Sequence, residues 1–258
     1  MITTKHKASF ARDGFFVMDS NLNTQEIQKI SADIDRLHDA ARIEVIRNGE
    51  ARRIEETNSR FFQWQVQAES TVIAGLLHHP SYLDICRTFV GRDADLFTGL
   101  ASVKVAGHGT PFPWHQDTTY AITEPLESVT TWTAIDHATC ENGCLLVIPG
   151  SHLKGLRPHS VDDIAIATAD ISEEEKGSAV ALEMLPGQIA VFSSLLLHMT
   201  GCNTSSANRR AIIFQFHSPN VVFASTREPV GDQHPIIRDD KPVYDVPMKG
   251  TTGVNNYL

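Results

Sequence analysis

From about residue 96 onward this chain breaks into short β-type segments divided by Gly, Pro and Asn. That punctuation limits the open folds more than any other feature. The segments cover residues 100–105, 129–135, 145–148, 180–184, 189–192 and 211–216. Each is rich in β-branched, aromatic or other apolar residues and short enough to be a strand. The preceding stretch has a different period. Asn23 followed by Glu26 predicts a capping box, and Ile27, Ile30, Ile34, Leu37 and Ala41 then recur at helical steps. Ser81 is positioned to cap a second helix, with Leu83, Cys86 and Val90 on one face and Gly91 ending it. Pro186-Gly187 predicts a tight hairpin between the fourth and fifth β segments. Many short strands after a helical start predict a mainly β sandwich or barrel with helices packed on one side.

One domain is expected across residues 1–258. Residues 1–95 form mainly helical support, 96–220 the β core, and 221–258 a C-terminal extension. Within the core, the acidic, helix-prone stretch 155–178 is expected to be a solvated surface insertion. The long connections 43–69 and 107–113 are expected to form the mouth of the barrel.

Charge narrows the function. Thirty-one acidic residues against 22 basic ones leave a net charge of -9, and no basic stripe exists for nucleic acid. No run reaches the length of a membrane span. The amino terminus lacks the apolar segment of a secretory signal, and four cysteines are too few for a disulfide scaffold. A cytoplasmic protein with reduced thiols is expected.

The chemistry centres on Trp114-His115-Gln116-Asp117. In an extended chain, side chains two apart share a face, so His115 and Asp117 can grip one ion while Gln116 points away. A Gly- and Pro-rich loop before them gives little reason to bury a carboxylate unless something pairs with it. A third ligand should come from a later strand, and His198, at the end of an apolar run, is the best candidate. The competing reading is a satisfied core histidine. Eleven residues on comes Arg209, which a hairpin would return toward the imidazole. A buried arginine needs an anion, and a carboxylate suits its fork. Two His, one carboxylate and open positions match non-haem Fe(II) oxygenases, and the arginine implies a co-substrate carboxylate.

These residues resemble the phytanoyl-CoA dioxygenase family of Fe(II)- and 2-oxoglutarate-dependent oxygenases. The likeness begins at Phe10-Ala-Arg-Asp-Gly14-Phe-Phe and continues through Pro113-Trp-His-Gln-Asp117-Thr-Thr-Tyr120. It extends over Trp132 to His152, with Asn142-Gly143-Cys144 and Pro149-Gly150-Ser-His152, and closes with His198-Met-Thr200 leading to Arg209. The resemblance implies a double-stranded β-helix, the jelly-roll or cupin-like barrel, with N-terminal helices on one side. It implies that His115, Asp117 and His198 bind iron and that Arg209 pairs with 2-oxoglutarate, with Thr200 and Trp132 lining the same pocket. Lys104 resembles a family lysine near the co-substrate, while a solvated strand lysine is the plain alternative. Strand parity sends only one of Arg209 and Arg210 inward, and the family spacing selects Arg209.

The resemblance also implies dioxygen as oxidant, with succinate and CO2 released. Related halogenases have a small residue where Asp117 stands, so hydroxylation is expected, with desaturation, epoxidation or ring formation as alternatives. A cupin-like binding or sensing protein is the reading from another class. The acidic balance argues against an acyl-CoA and for a small metabolite, such as a natural-product intermediate. Tyr120, Phe62, Gln63 and Gln65 are candidate substrate contacts near the mouth. His152 is expected to be structural, and Cys140 with Cys144 lack the second pair a zinc site needs. A monomer and a homodimer both fit.

Overall fold

A computed structural model describes residues 1–49, 59–126, 128–161, 166–230 and 234–244. In chain order the strands are β1 (Phe15–Asp19), β2 (Arg60–Trp64), β3 (Ala94–Lys104), β4 (Phe112–His115), β5 (Thr123–Glu124), β6 (Val129–Ala134), β7 (Leu145–Val147) and β8 (His159–Val161). They continue with β9 (Ala167–Ala169), β10 (Val180–Leu182), β11 (Gln188–Ser193), β12 (His198–Thr200), β13 (Arg209–His217), β14 (Val222–Phe223), β15 (His234–Arg238) and β16 (Lys241–Pro242). The helices are α1 (Thr4–Asp13), α2 (Thr24–Asn48), α3 (Val66–Glu69), α4 (Thr71–Leu76), α5 (Pro80–Phe89) and α6 (Glu173–Gly177).

Two antiparallel sheets carry the architecture. The larger runs β1-β11-β6-β13-β3-β15-β16, with β2 also paired to β3; the smaller runs β10-β7-β12-β4. Side-chain alternation gives the large sheet two working faces. Val103, Val191, Ile212 and Phe214 meet the helices, forming a core with Ile30, Ile34 and Leu37 of α2 and Tyr82 and Ile85 of α5. Trp132, Ala190, Phe192 and Ala211 point the other way and meet Leu145, Val147 and Leu182 of the small sheet. The result is the expected mainly β jelly roll with helices on one side.

α2 starts as its sequence dictates: Asn23 accepts from the Glu26 amide, and the Glu26 carboxylate accepts from the Asn23 amide. Each fully buried Ile or Leu of its stripe contributes about 1.5–3 kcal/mol. The helix runs on to Asn48, so the expected 43–69 connection is mostly ordered structure: helix end, β2 and α3. Residues 50–58 of that stretch lie outside the described residues. β1 and β2 add strands to a region expected to be helical support, and β3 begins at Ala94.

Three local expectations are corrected. α5 is capped by His79, whose Nδ1 accepts from the Ser81 amide, while the Ser81 hydroxyl donates to Ser20 O. Pro186-Gly187 does not close a hairpin, because β10 joins β7 whereas β11 joins β1 and β6. The turn carries the chain from one sheet to the other. The 155–178 stretch is more than a surface insertion: β8 and β9 pair within it, and Ala167 and Ala169 are buried. Residues 162–165 and the tail 245–258 lie outside the described residues. Among the described residues, no helix is long and apolar enough to cross a membrane.

Candidate active site

His115 ends β4, and the chain stays extended through Gln116 (φ −119°, ψ 133°) before the 3-10 turn Asp117–Tyr120 begins. His115 and Asp117 therefore share a face although only the first lies in the strand. Gln116 is fully buried on the opposite side. Its amide nitrogen donates to Gly155 O at 2.9 Å and Leu195 O at 2.6 Å, and its Oε1 accepts from the Arg157 amide at 2.7 Å. β12 pairs with β4 so that His198 stands directly across from His115, with ring centroids 4.1 Å apart.

Both imidazoles are oriented by backbone. His115 Nδ1 lies 2.8 Å from Pro113 O, and His198 Nδ1 lies 2.9 Å from Leu196 O. A proton on each Nδ1 leaves the Nε2 lone pairs facing Asp117 Oδ1, at 3.6 Å and 3.5 Å. The other Asp117 oxygen accepts from Thr130 Oγ1 at 2.6 Å. One ligand atom from each of the three residues falls within 4.8 Å of the others, a spacing that one metal ion can bridge.

Electrostatics favour the ligand forms. Burial alone would raise Asp117, but the neighbouring His198 and His115 outweigh it and bring the carboxyl down to about 2. Burial, reinforced by His115, lowers His198 to about 4 in spite of Asp117. A carboxylate beside the neutral His198 imidazole suits a divalent cation.

The three side chains open onto a cavity of about 410 Å³ between the sheets. Arg209 forms part of its wall at 1% exposure, with its guanidinium carbon 5.1 Å from the Trp132 ring centroid. Its Nε and Nη1 have no hydrogen-bond partner, and burial pulls its pKa down to about 10. A buried cation with open donors calls for an anion. Arg210 points to the helix face, where Asp136 and Asp35 bind it. Parity thus separates the pair as expected. The expected hairpin does not deliver Arg209, because β12 and β13 belong to different sheets.

Thr200, Trp132, Tyr120 and Phe62 all reach the cavity wall. The Tyr120 ring lies 6.0 Å from His115, and its hydroxyl accepts from the Ala167 amide at 3.1 Å. Phe62 packs edge-on against Phe112, which in turn meets His115. Gln63 and Gln65 do not line this cavity. Alternation along β2 turns Gln63 away, its amide donating to Trp64 O. Gln65 takes a left-handed conformation (φ 56°) and accepts from Gln67 Nε2.

Lys104 is also off the wall and is neither solvated nor part of the lining; it is 3% exposed and donates to Thr110 O. His152 is buried, and a Cβ on Gly14 would lie 2.6 Å from its Nδ1, so this contact needs glycine. All four cysteines are free thiols. Thr130 escaped sequence reasoning, since one threonine in a strand carries no local signal.

Comparison with known proteins agrees with this geometry. The chain is 37% identical over 114 residues to the peroxisomal phytanoyl-CoA dioxygenase of Bos taurus, covering 42% of this chain and 34% of that protein. The mouse protein of that name is 25% identical over 235 residues, covering 84% of this chain and 69% of that one. Of the first three curated relatives the matched part of this chain spans 34%, 39% and 33% of the length. Among solved structures, EvdO2 from Micromonospora carbonacea var. aurantiaca complexed with 2-oxoglutarate has a TM-score of 0.67 at 22% identity, covering 89% of this chain and 96% of that one. The carbocyclase SnoK from nogalamycin biosynthesis has a TM-score of 0.70 at 17% identity, covering 91% and 96%. The family model for phytanoyl-CoA dioxygenase (PhyH) matches residues 10–211, and this chain belongs to that family.

Proposed function

We propose that this chain is an Fe(II)- and 2-oxoglutarate-dependent dioxygenase that hydroxylates a small, cytoplasmic metabolite. His115, Asp117 and His198 would hold the iron, and Arg209 would receive the distal carboxylate of 2-oxoglutarate, with Thr200 and Trp132 beside it. Lys104 would act through Arg209 rather than by contact. The observation that carries the reading is Arg209: a buried guanidinium with open donors on the same cavity as two imidazoles and a carboxylate. When bound, the iron and its co-substrate supply the activation of dioxygen, with succinate and CO2 as products. The chain's own part is to orient the ligands through Pro113 O, Leu196 O and Thr130, and to exclude water.

Ring formation is the second reading, supported by the fold likeness to a carbocyclase. Product mass separates the two, since hydroxylation adds an oxygen and ring closure removes two hydrogens. The test of the main reading is anaerobic titration with Fe(II) and 2-oxoglutarate. A weak visible charge-transfer band is expected in the wild type and lost in His198→Ala and Asp117→Ala. Succinate release that depends on added substrate then separates a catalyst from a binding or sensing protein. A wild type without the band overturns the assignment.

A further inference from the structure

One side of the cavity carries a hydroxyl with nothing to bond. Thr98 is 3% exposed and lines the cavity, yet its Oγ1 is buried without a hydrogen-bond partner. Across the ladder from it stands Gln215 on β13, and Gln215 is in turn paired with Thr130 on β6. All three line the cavity, so they form one row across three strands. The row ends at the metal centre, because Thr130 donates to Asp117. The Gln215 amide makes no side-chain hydrogen bond among the described residues.

The surroundings specify what could satisfy these groups. Phe62, Trp64, Phe97 and Phe223 contribute aromatic surface to the same wall. The row itself holds no cation. Of the wall's two arginines, Arg209 stacks on Trp132 and Arg60 lies over Phe62 and Phe112. A carboxylate placed at Thr98 would be buried beside neutral groups, which is costly, whereas a ketone or hydroxyl could accept from the amide and the hydroxyl together. The volume, about 410 Å³, lies in the range of drug-sized ligand sites.

We infer that the site takes a largely apolar, ring-bearing small molecule with an uncharged oxygen, which Thr98 and Gln215 hydrogen-bond while the aromatic wall holds its body. Neighbouring strands are about 4.8 Å apart, so the carbon presented to the metal centre sits roughly one to two strand spacings from the anchored oxygen. Thr98 and Gln215 are specificity-determining contacts. The proposal rests on the oxygenase reading for its chemistry, but its binding preference can be measured without turnover.

The test uses the full chain, without dioxygen, with Fe(II) and 2-oxoglutarate present. It is titrated calorimetrically with 2-tetralone, tetralin and tetralin-2-carboxylate. The ketone should bind about tenfold more tightly than tetralin, the value of one good hydrogen bond to an unsatisfied site. The carboxylate should bind no more tightly than tetralin. Thr98→Val and Gln215→Leu should each erase most of the ketone preference and leave tetralin affinity unchanged, which also shows that the variants are folded; Thr98→Ser should retain the preference. Equal affinity for ketone and hydrocarbon, a preference surviving in the double variant, a carboxylate that binds tightest, or no binding of the ketone would each overturn the proposal. A ketone preference in a wild type that lacks the charge-transfer band would overturn the oxygenase reading alone.

Discussion

Arg209 and Lys104 stand directly opposite each other on β13 and β3, two cations buried at 1% and 3% exposure. Like charges in facing positions destabilise a sheet. Burial, then Arg209 and Arg60, lowers Lys104 from its ordinary value of 10.5 to about 7. Between those values the unfolded lysine binds a proton that the folded one lacks, so stability rises with pH. The rise should be clearest from pH 7 to about 8.5, above which unfolded cysteines ionise. Beyond that point Cys144, pushed up to about 12 chiefly by burial, works against it. Urea midpoints measured across this window should climb in the wild type. Lys104→Met should be more stable at pH 7 and show a flatter profile. A wild-type midpoint that falls over the window contradicts the assignment.

Arg209 itself separates stability from function. Its Nε and Nη1 are buried without partners, so the folded chain carries two desolvated guanidinium donors that nothing bonds. Arg209→Met should leave the melting temperature unchanged or higher, because an apolar side chain of similar length removes that desolvation cost. The same change should raise the KM for 2-oxoglutarate about 100-fold, as two charge-assisted hydrogen bonds are lost. Arg209→Lys should recover little, since an ammonium cannot reproduce the fork. A large fall in melting temperature would show that the guanidinium is structurally paired after all.

Thr130 tests how far the ligands depend on their support. Its hydroxyl donates to the Asp117 oxygen that does not face the imidazoles. Thr130→Val keeps the shape of a fully buried position in β6 and removes only that bond. Affinity for Fe(II), or Co(II) as a spectroscopic substitute, should fall about 10–100-fold. Unfolding by urea should shift little by comparison. Unchanged metal affinity would place Asp117 under the control of its backbone alone.

What could be read from the chain depended on whether the signal was local. The Asn23–Glu26 cap and the Ile30, Ile34, Leu37 stripe lie within a few turns of helix, and both appear as expected. The pairing of His115 with Asp117 needed only one extended residue, and Gln116 supplies it. Sheet membership was not local. Pro186-Gly187 has the chemistry of a hairpin, yet whether β10 and β11 pair is decided by β7 and β6, some 40 to 60 residues earlier. β6 is buried on both faces, so its composition gives no alternation from which to choose a partner. Thr98 and Gln215 were invisible for the same reason, since their importance lies in a cross-strand row.

Gln116 supplies the last prediction, because it ties the metal loop to two distant segments. Its side chain satisfies Gly155 O, Leu195 O and the Arg157 amide at once, all away from the cavity. Gln116→Leu would strand an amide and two carbonyls, each costing about 1–3 kcal/mol when left buried. A loss of about 3 kcal/mol in urea unfolding of the metal-free protein is therefore expected, even if water reaches one of the three. Gln63→Leu offers the contrast, since its amide makes one contact with Trp64 O from a partly buried position, and should cost about 0.5 kcal/mol or less. Gln116→Leu should also weaken metal binding, because this residue fixes the extended step that puts His115 and Asp117 on one face. If stability falls while metal affinity holds, the loop keeps its conformation without the tether, and the pairing of ligands owes more to β4 and β12 than to Gln116.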